Sequence, residues 1–185
     1  MTEKEIIHSI KNGDIQSFKL LVEQHQQMVF RTIMGFVHVK EDAEDLTQEV
    51  FINAYQSLHY YQEKAAFSTW LYRIAVNTSL NFIQKNRFQK LLDFAEDKMQ
   101  ILFNQRDNSI NPEEQIIENE TDSLIQRAID QLSEKQRTAF ILSKYNELPQ
   151  KKIAEIMQLS EGAVEQHLQR AKIKLQKKLS GLVGK

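Results

Sequence analysis

Apolar residues recur along this chain at steps of three and four, and no segment alternates with period two over a useful length. Steps of three and four return side chains to one face of a helix, so the pattern predicts an all-α protein. Thr2-Glu3-Lys4-Glu5 has the capping-box form, a hydroxyl followed three residues later by a carboxylate, and Ile6, Ile7 and Ile10 follow as a first stripe. Gly13-Asp14 predicts a stop. Phe18, Leu21, Val22, His25, Met28, Val29, Ile33 and Phe36 predict a long amphipathic helix, and Ala43, Leu46, Val50, Phe51, Ala54 and Leu58 predict another. Tyr60 to Lys64 is short and polar, a loop. From Phe67 a further helix carries Trp70, Leu71, Ile74, Ala75, Thr78, Phe82 and Ile83.

The pattern weakens between Asp93 and Asn119, where Asn108-Ser-Ile-Asn-Pro112 is a breaker cluster. That stretch reads as a linker with some helix at its ends. Beyond it, Leu124, Ile125, Ala128, Ile129 and Leu132 predict a helix. Ser133-Glu-Lys-Gln136 is a second capping box and opens Ala139, Phe140 and Leu142. Pro149 suits the first turn of a short helix with Ile153, Ala154, Ile156 and Met157. Ser160 is placed to cap a last helix carrying Val164, Leu168, Ala171, Leu175 and Leu179. The expected organisation is two small helical domains, 1–92 and 121–185, joined by a linker at 93–120.

Composition supports helix over turn. The chain has 185 residues with 5 glycines and 2 prolines, where average usage would give roughly 13 and 9. It has no cysteine, which excludes disulfides and thiolate metal sites. No apolar run exceeds five residues, whereas a membrane span needs about 20. The acidic start lacks the apolar stretch of a secretory signal. A cytoplasmic protein without membrane insertion is expected.

The formal charge of −1 conceals segregation. Glu41 to Glu49 carries five acids and no base, and Lys64 to Leu92 carries five bases and no acid. Phe67, Trp70, Tyr72, Phe82 and Phe88 are interleaved with those bases, a combination that holds phosphates and stacks bases of a single strand. Asp107 to Asp122 is acidic, and six bases without an acid follow from Arg170 onward. Either basic segment alone is equally well a solvated helix face; one in each half points to nucleic acid.

Pro149 to Leu168 reads helix, short turn, helix. Ile153, Ala154, Met157, Leu159, Val164 and Leu168 form its expected core, leaving Glu161, Glu165, Gln166, Gln169 and Arg170 facing outward. Gln reads adenine and Arg reads guanine at base edges, while Lys172 and Lys174 suit phosphates. A plain helical hairpin has the same pattern. In Asp42-Ala-Glu-Asp-Leu-Thr-Gln-Glu-Val-Phe51, Asp45 and Glu49 share a face with Gln48 beside them. That face fits a basic protein partner better than a metal, because no histidine lies within four residues of Asp45 or Glu49 and the segment itself has no Glu-x-x-His pattern. Trp70, Leu71 and Ile74 are simplest as core. Asn77 is either an exposed filler or a base reader. No phosphate loop or nucleophile elbow supports catalysis.

These residues together are recognisable. Asp42 to Tyr55 and Phe67-Ser-Thr-Trp-Leu-Tyr-Arg-Ile-Ala-Val-Asn77 resemble region 2 of the extracytoplasmic function (ECF) group of bacterial RNA polymerase sigma factors, in the sigma-70 family. Leu132-Ser-Glu-Lys-Gln-Arg137 and the helix-turn-helix resemble region 4. The resemblance implies a non-enzymatic factor without cofactor or bound metal. Such a factor binds core polymerase, recognises −35 and −10 promoter elements and promotes melting. It implies docking of Asp42, Asp45, Gln48, Glu49 and Phe51 on the β′ clamp helices, with Phe51 equally suited to inward core, and contact of region 4 with the β flap.

For the −10 element the resemblance implies capture of a flipped base by Tyr61, Gln62, Glu63, Lys64, Ala65 and Ala66 ahead of Trp70. Trp70, Arg73 and Asn77 would contact the same element, and Lys85 and Arg87 its phosphates. For the −35 duplex it implies Lys151, Lys152, Ser160, Glu161, Gly162, Ala163, Glu165, Gln166, Gln169, Arg170, Lys172 and Lys174. It also implies an anti-sigma partner. The family commonly has Gly-Thr-Val, a base, then Ser-Arg where this chain has Gly162-Ala-Val-Glu165-Gln166-His167, so an unusual or weaker −35 contribution is expected. Two other readings are a helix-turn-helix regulator that works without core polymerase and a helical carboxylate metalloenzyme.

Overall fold

A computed structural model describes residues 1–103 and 120–180, with the side chains of 95–103, 120 and 121 left aside. Every regular element among the described residues is helical. The first half comprises α1 (Glu3–Lys11), α2 (Phe18–Val37), α3 (Lys40–Ser57) and α4 (Phe67–Phe103), with 3₁₀ turns at Ile15–Ser17 and Leu58–Tyr60. The second comprises α5 (Glu120–Asp130), α6 (Glu134–Lys144), α7 (Gln150–Met157) and α8 (Glu161–Ser180). The centre of the expected linker lies outside the described residues.

Local chemistry sets the helix ends. The Glu5 N–H donates to Thr2 Oγ1 at 3.3 Å while the Thr2 N–H donates to Glu5 Oε2 at 2.7 Å, closing the capping box. At the start of α6 the Ser133 N–H donates to Gln136 Oε1 at 3.3 Å. The Ala163 N–H donates to Ser160 Oγ at 3.2 Å, capping α8. Pro149 departs from its expected place. It precedes α7 with extended backbone, and its carbonyl accepts from the Lys152 and Ile153 N–H groups at 2.9 and 3.1 Å. A proline cap has no N–H to leave unpaired, so this position serves as well as the first turn.

The first core gathers Ile6, Ile7 and Ile10 of α1, Leu21, Val29 and Ile33 of α2, Ala43, Leu46, Val50 and Ala54 of α3, and Phe67, Leu71 and Ala75 of α4. Its stripes are those of the sequence pattern. A smaller cluster holds α5 to α8 through Ala128, Ile129, Leu132, Ala171 and Leu175.

Between them is a cluster the periodicity did not reveal. Phe36 of α2 and Tyr72 and Val76 of α4 pack with Ala139, Ile141 and Leu142 of α6, Ile153, Ala154 and Ile156 of α7, and Val164 of α8. Thus α2 and α4 each bury two faces, one within the first half and one against the second. The halves are joined by packing as well as by chain.

Candidate polymerase and nucleic-acid interface

Three surfaces carry the candidate residues. The first is the outer face of α3. Because Ala43, Leu46, Val50 and Ala54 point inward, Asp45, Gln48 and Glu49 are exposed on the opposite side. Asp42 is half-buried. Phe51 is not part of this face: it is 6 % exposed, with its ring edge-on to Phe18 at 6.4 Å. It holds α3 against α2 and is removed from the docking set. In its place are two residues the sequence did not single out, Ile52 at 55 % and Tyr55 at 37 % exposure. Carboxylates bordered by exposed apolar side chains suit a protein surface better than bulk water.

The second surface is the loop before α4 together with the α4 face beyond it. Tyr61 is buried, its ring 5.7 Å from Phe67 and 5.2 Å from Trp70. The tyrosine hydroxyl donates to the Ala65 carbonyl at 2.7 Å, closing the loop on itself. Lys11 of α1 donates to the Tyr61 carbonyl at 2.7 Å, with its Nζ 5.6 Å from the Tyr61 ring centroid. Burial, then the charges of Glu3 and Glu63, pushes the Tyr61 phenol above its ordinary value. Tyr61 is therefore an anchor and offers no free stacking face. Gln62, Glu63, Lys64 and Ala66 are exposed on the loop it anchors, and Ala65 is half-buried. Glu63 holds φ 57°, the left-handed bend that turns the loop outward.

Trp70 is half-buried in the same aromatic group, which His25 joins at 5.4 Å from Phe67. His25 Nε2 is also 2.9 Å from Glu3 Oε2, a His–carboxylate pair that sequence spacing did not show. Further along α4, Asn77, Lys85 and Arg87 are exposed. Arg73 is engaged: it donates to the Glu155 carbonyl at 2.7 Å and the Ile156 carbonyl at 3.3 Å, both in the last turn of α7. A cleft of about 340 Å³ runs between the halves and is lined by Arg73, Asn77, Glu134, Lys135 and Gln158.

The third surface belongs to the helix-turn-helix α7–α8. Gln158 takes the left-handed conformation at the end of α7, φ 55°, and the Leu159 N–H returns to the Ala154 carbonyl at 3.0 Å. Val164, Ala171 and Leu175 are buried. Glu161, Gly162, Glu165, Gln166, Gln169, Arg170 and Lys172 are exposed along α8, with Ala163 half-buried and Ser160 engaged as the cap. Lys151 is exposed on α7. Two of the expected phosphate binders are otherwise occupied. Lys152 donates to Thr69 Oγ1 of α4 and is 3.6 Å from Glu155. Lys174 donates to the Gln131 carbonyl at 2.6 Å. His167 is half-buried; burial, then Lys135 and Arg170, lowers its pKa below the ordinary value. Among the described residues no three His, Asp or Glu side chains gather where they would hold a metal ion.

Comparison with known proteins decides the family. The sigma-70 region 2 family matches residues 21–89, which hold the α3 face, the loop and the basic start of α4, and the sigma-70 region 4 family matches 122–175. The chain is 32% identical to the RNA polymerase sigma-H factor of Pseudomonas aeruginosa, over 98% of this chain and 95% of that protein. It is 31% identical to the ECF RNA polymerase sigma factor SigW of Bacillus subtilis, over 98% of this chain and 99% of that one.

The chain belongs to the ECF sigma factors of the sigma-70 family.

Its fold is shared with CnrH, solved in complex with the cytosolic domain of CnrY: TM-score 0.67 at 20% identity, over 97% of each chain. The helices α2 to α4 are thus its region 2, and α5 to α8 its region 4. No helix among the described residues is long and apolar enough to cross a membrane.

Proposed function

We propose that this sigma factor binds core RNA polymerase through the exposed Asp45, Gln48 and Glu49 face of α3, flanked by Ile52 and Tyr55. Held there, it reads the −10 element with region 2 and the −35 element with region 4. The observation that carries this reading is the division of labour on one chain. An acidic face with exposed apolar neighbours lies on α3, while exposed cations and amides lie on α4 and α8. Separate surfaces of a single factor can then engage a basic protein and DNA together.

At the −10 element the exposed Gln62, Glu63 and Lys64 surround the base-capture position, and Tyr61 and Lys11 hold the loop in shape. Extruding a base costs a few kcal/mol of unstacking, so a loop already ordered before DNA arrives lowers the cost of capture. Asn77 reads the same element, and Lys85 and Arg87 hold its backbone. At the −35 element α8 offers Glu165, Gln166, Gln169 and Arg170. A glutamate accepts from the cytosine amino group and glutamines read adenine, so these residues select a −35 sequence of their own rather than the one met by a basic recognition helix. Region 4 also meets the β flap.

The protein acts by binding, in the cytoplasm where polymerase is found, and no residue is assigned a catalytic role. The sigma factor RpoE of Bartonella quintana, which shares this fold, was solved in complex with the anti-sigma factor NepR, and this supports an anti-sigma partner for this chain as well. A regulator that worked without polymerase would leave the α3 face unexplained. The test is association with core polymerase. The wild-type chain is expected to co-elute with core, and Asp45→Lys combined with Glu49→Lys is expected to elute apart while keeping its helical circular dichroism. Continued co-elution of the double variant would refute the docking assignment.

A further inference from the structure

The first helix, Glu3–Lys11, precedes the residues 21–89 that match the region 2 family. Its apolar face is core: Ile6, Ile7 and Ile10 are buried with α2, α3 and α4. Core packing asks nothing of the polar residues at its two ends, yet both lead to the base-capture loop. At one end Lys11 donates to the Tyr61 carbonyl at 2.7 Å. At the other, Glu3 Oε2 lies 2.9 Å from Nε2 of His25 on α2. An ionised carboxylate only accepts, so this imidazole nitrogen donates. The His25 ring is 5.4 Å from Phe67, and Phe67 is 5.7 Å from Tyr61 and 5.5 Å from Trp70. One polar contact in the first turn of α1 is thus joined, ring by ring, to the aromatic side chains on either side of the loop.

Three observations support this path. Glu63, at the left-handed bend of the loop, shares a groove of about 670 Å³ with Lys4, His8 and Asn12, so the loop borders α1 along its length. Burial and then the Glu3 carboxylate push the Tyr61 phenol upward, so Glu3 is felt at the loop's anchor. The corner after α1 is also tied. The Asp14 carboxylate accepts from Ser17 Oγ at 2.5 Å and from Ser9 Oγ at 3.1 Å, and Gly13 turns the chain at φ 103°. A helix fixed at its corner holds its direction when the loop is pulled.

The His25 side chain is 13 % exposed while Glu3 is 38 % exposed. The imidazole therefore has little water to replace its acceptor, and loss of Glu3 leaves the ring free to turn away from Phe67. We infer that α1 is a positioning helix for −10 base capture, in which Glu3 acts through His25 on the Phe67, Tyr61 and Trp70 group while Lys11 holds the loop itself. This rests on the proposed reading of the −10 element. Glu3 and His25 touch no DNA; they keep the aromatic wall behind the loop at one angle, so less ordering remains to be done when the base arrives.

Trp70 is the only tryptophan of the chain, so its emission reports on this group in the full-length protein. Acrylamide quenching of Trp70 is expected to rise in Glu3→Ala with helical circular dichroism unchanged. Glu3→Gln keeps an acceptor oxygen and is expected to stay near the wild type. With polymerase holoenzyme, capture of a 2-aminopurine at the flipped position of the −10 element is expected to weaken about fivefold in Glu3→Ala and in His25→Phe, the effect of one partly exposed hydrogen bond. Binding to −35 duplex should not change. Because both substitutions break the same contact, the double variant is expected to be no weaker than either single one.

Unchanged Trp70 quenching in Glu3→Ala would overturn the inference. So would additive losses in the double variant, a Glu3→Gln chain as weak as Glu3→Ala, or capture and −35 binding that fall together. A wild type that captures no base on any −10 sequence would instead sink the −10 reading, and the inference with it, even where the Trp70 quenching, made without DNA, shows the aromatic group held by Glu3.

Discussion

Replacing Lys11 with methionine tests whether the capture loop is ordered before DNA arrives. Methionine keeps an apolar stem of similar length but removes the ammonium. Two contacts disappear: the 2.7 Å bond to the Tyr61 carbonyl and the cation's position 5.6 Å from the Tyr61 ring. A hydrogen bond from a charged donor contributes about 1.5–3 kcal/mol, and a cation–π contact at an exposed site about 0.5–1 kcal/mol. The site is only partly buried, so water replaces part of both. A net loss of about 1–2 kcal/mol in loop order is expected, which is roughly a 5- to 30-fold change in an equilibrium constant. The assay is fluorescence of a 2-aminopurine placed at the captured base of the −10 element, read with polymerase holoenzyme. Capture should weaken by about that factor while binding to −35 duplex is unchanged, and Lys11→Arg should restore most of it. If capture is unaffected, or if both affinities fall together, Lys11 does not position this loop.

Asn77→Ala is expected to lower open-complex formation more on some −10 sequences than on others; a uniform drop across a −10 library removes it from base reading. Arg170→Ala should weaken −35 duplex binding by about 1–3 kcal/mol if its guanidinium meets a base edge, and unchanged affinity strikes it from that set. Leu71→Ala, at a fully buried position of the first core, should destabilise the fold by about 2–5 kcal/mol in urea unfolding; a loss well under 1 kcal/mol would mean the core is assigned wrongly. Burial raises the Asp130 carboxyl, but the His38 hydrogen bond and Arg137 outweigh it and hold its pKa below the ordinary 3.8. A lowered carboxylate stabilises the fold above its unfolded pKa and loses that contribution as pH falls through the folded value. Acid unfolding of Asp130→Asn should therefore lack part of the pH dependence seen in the wild type below 3.8, and identical curves would show that the carboxylate contributes nothing.

The helices and their caps were legible because they depend on local chemistry. Thr2 with Glu5 and Ser133 with Gln136 are short-range pairs, and the stripe Leu21, Val29, Ile33 repeats at helical spacing. The outward residues of α8 followed from the inward placement of Val164, Ala171 and Leu175. What periodicity does not encode is which surface meets which. On α4, Leu71 and Ala75 enter one core while Tyr72 and Val76 enter another. The stripe through Leu71 and Ala75 was visible, but the face carrying Tyr72 and Val76 meets a partner some 80 positions away in sequence, as the Arg73 bond to Glu155 shows. Phe51, for which inward core was equally open, and Tyr61 turn inward for a related reason. An aromatic side chain beside a binding motif has the same letter whether it faces a partner or, as here, Phe18 or Trp70. Gly35 carried a faint signal, a glycine within an otherwise strong helix, whose meaning needed the position of Ile141.

Promoter-directed run-off transcription with purified core polymerase tests the central claim most directly. Core alone should give only non-specific transcript. Addition of this chain should yield discrete start sites downstream of paired −35 and −10 elements, and mutation of either element should diminish them. Discrete binding to DNA with no effect on where core polymerase starts would contradict the account.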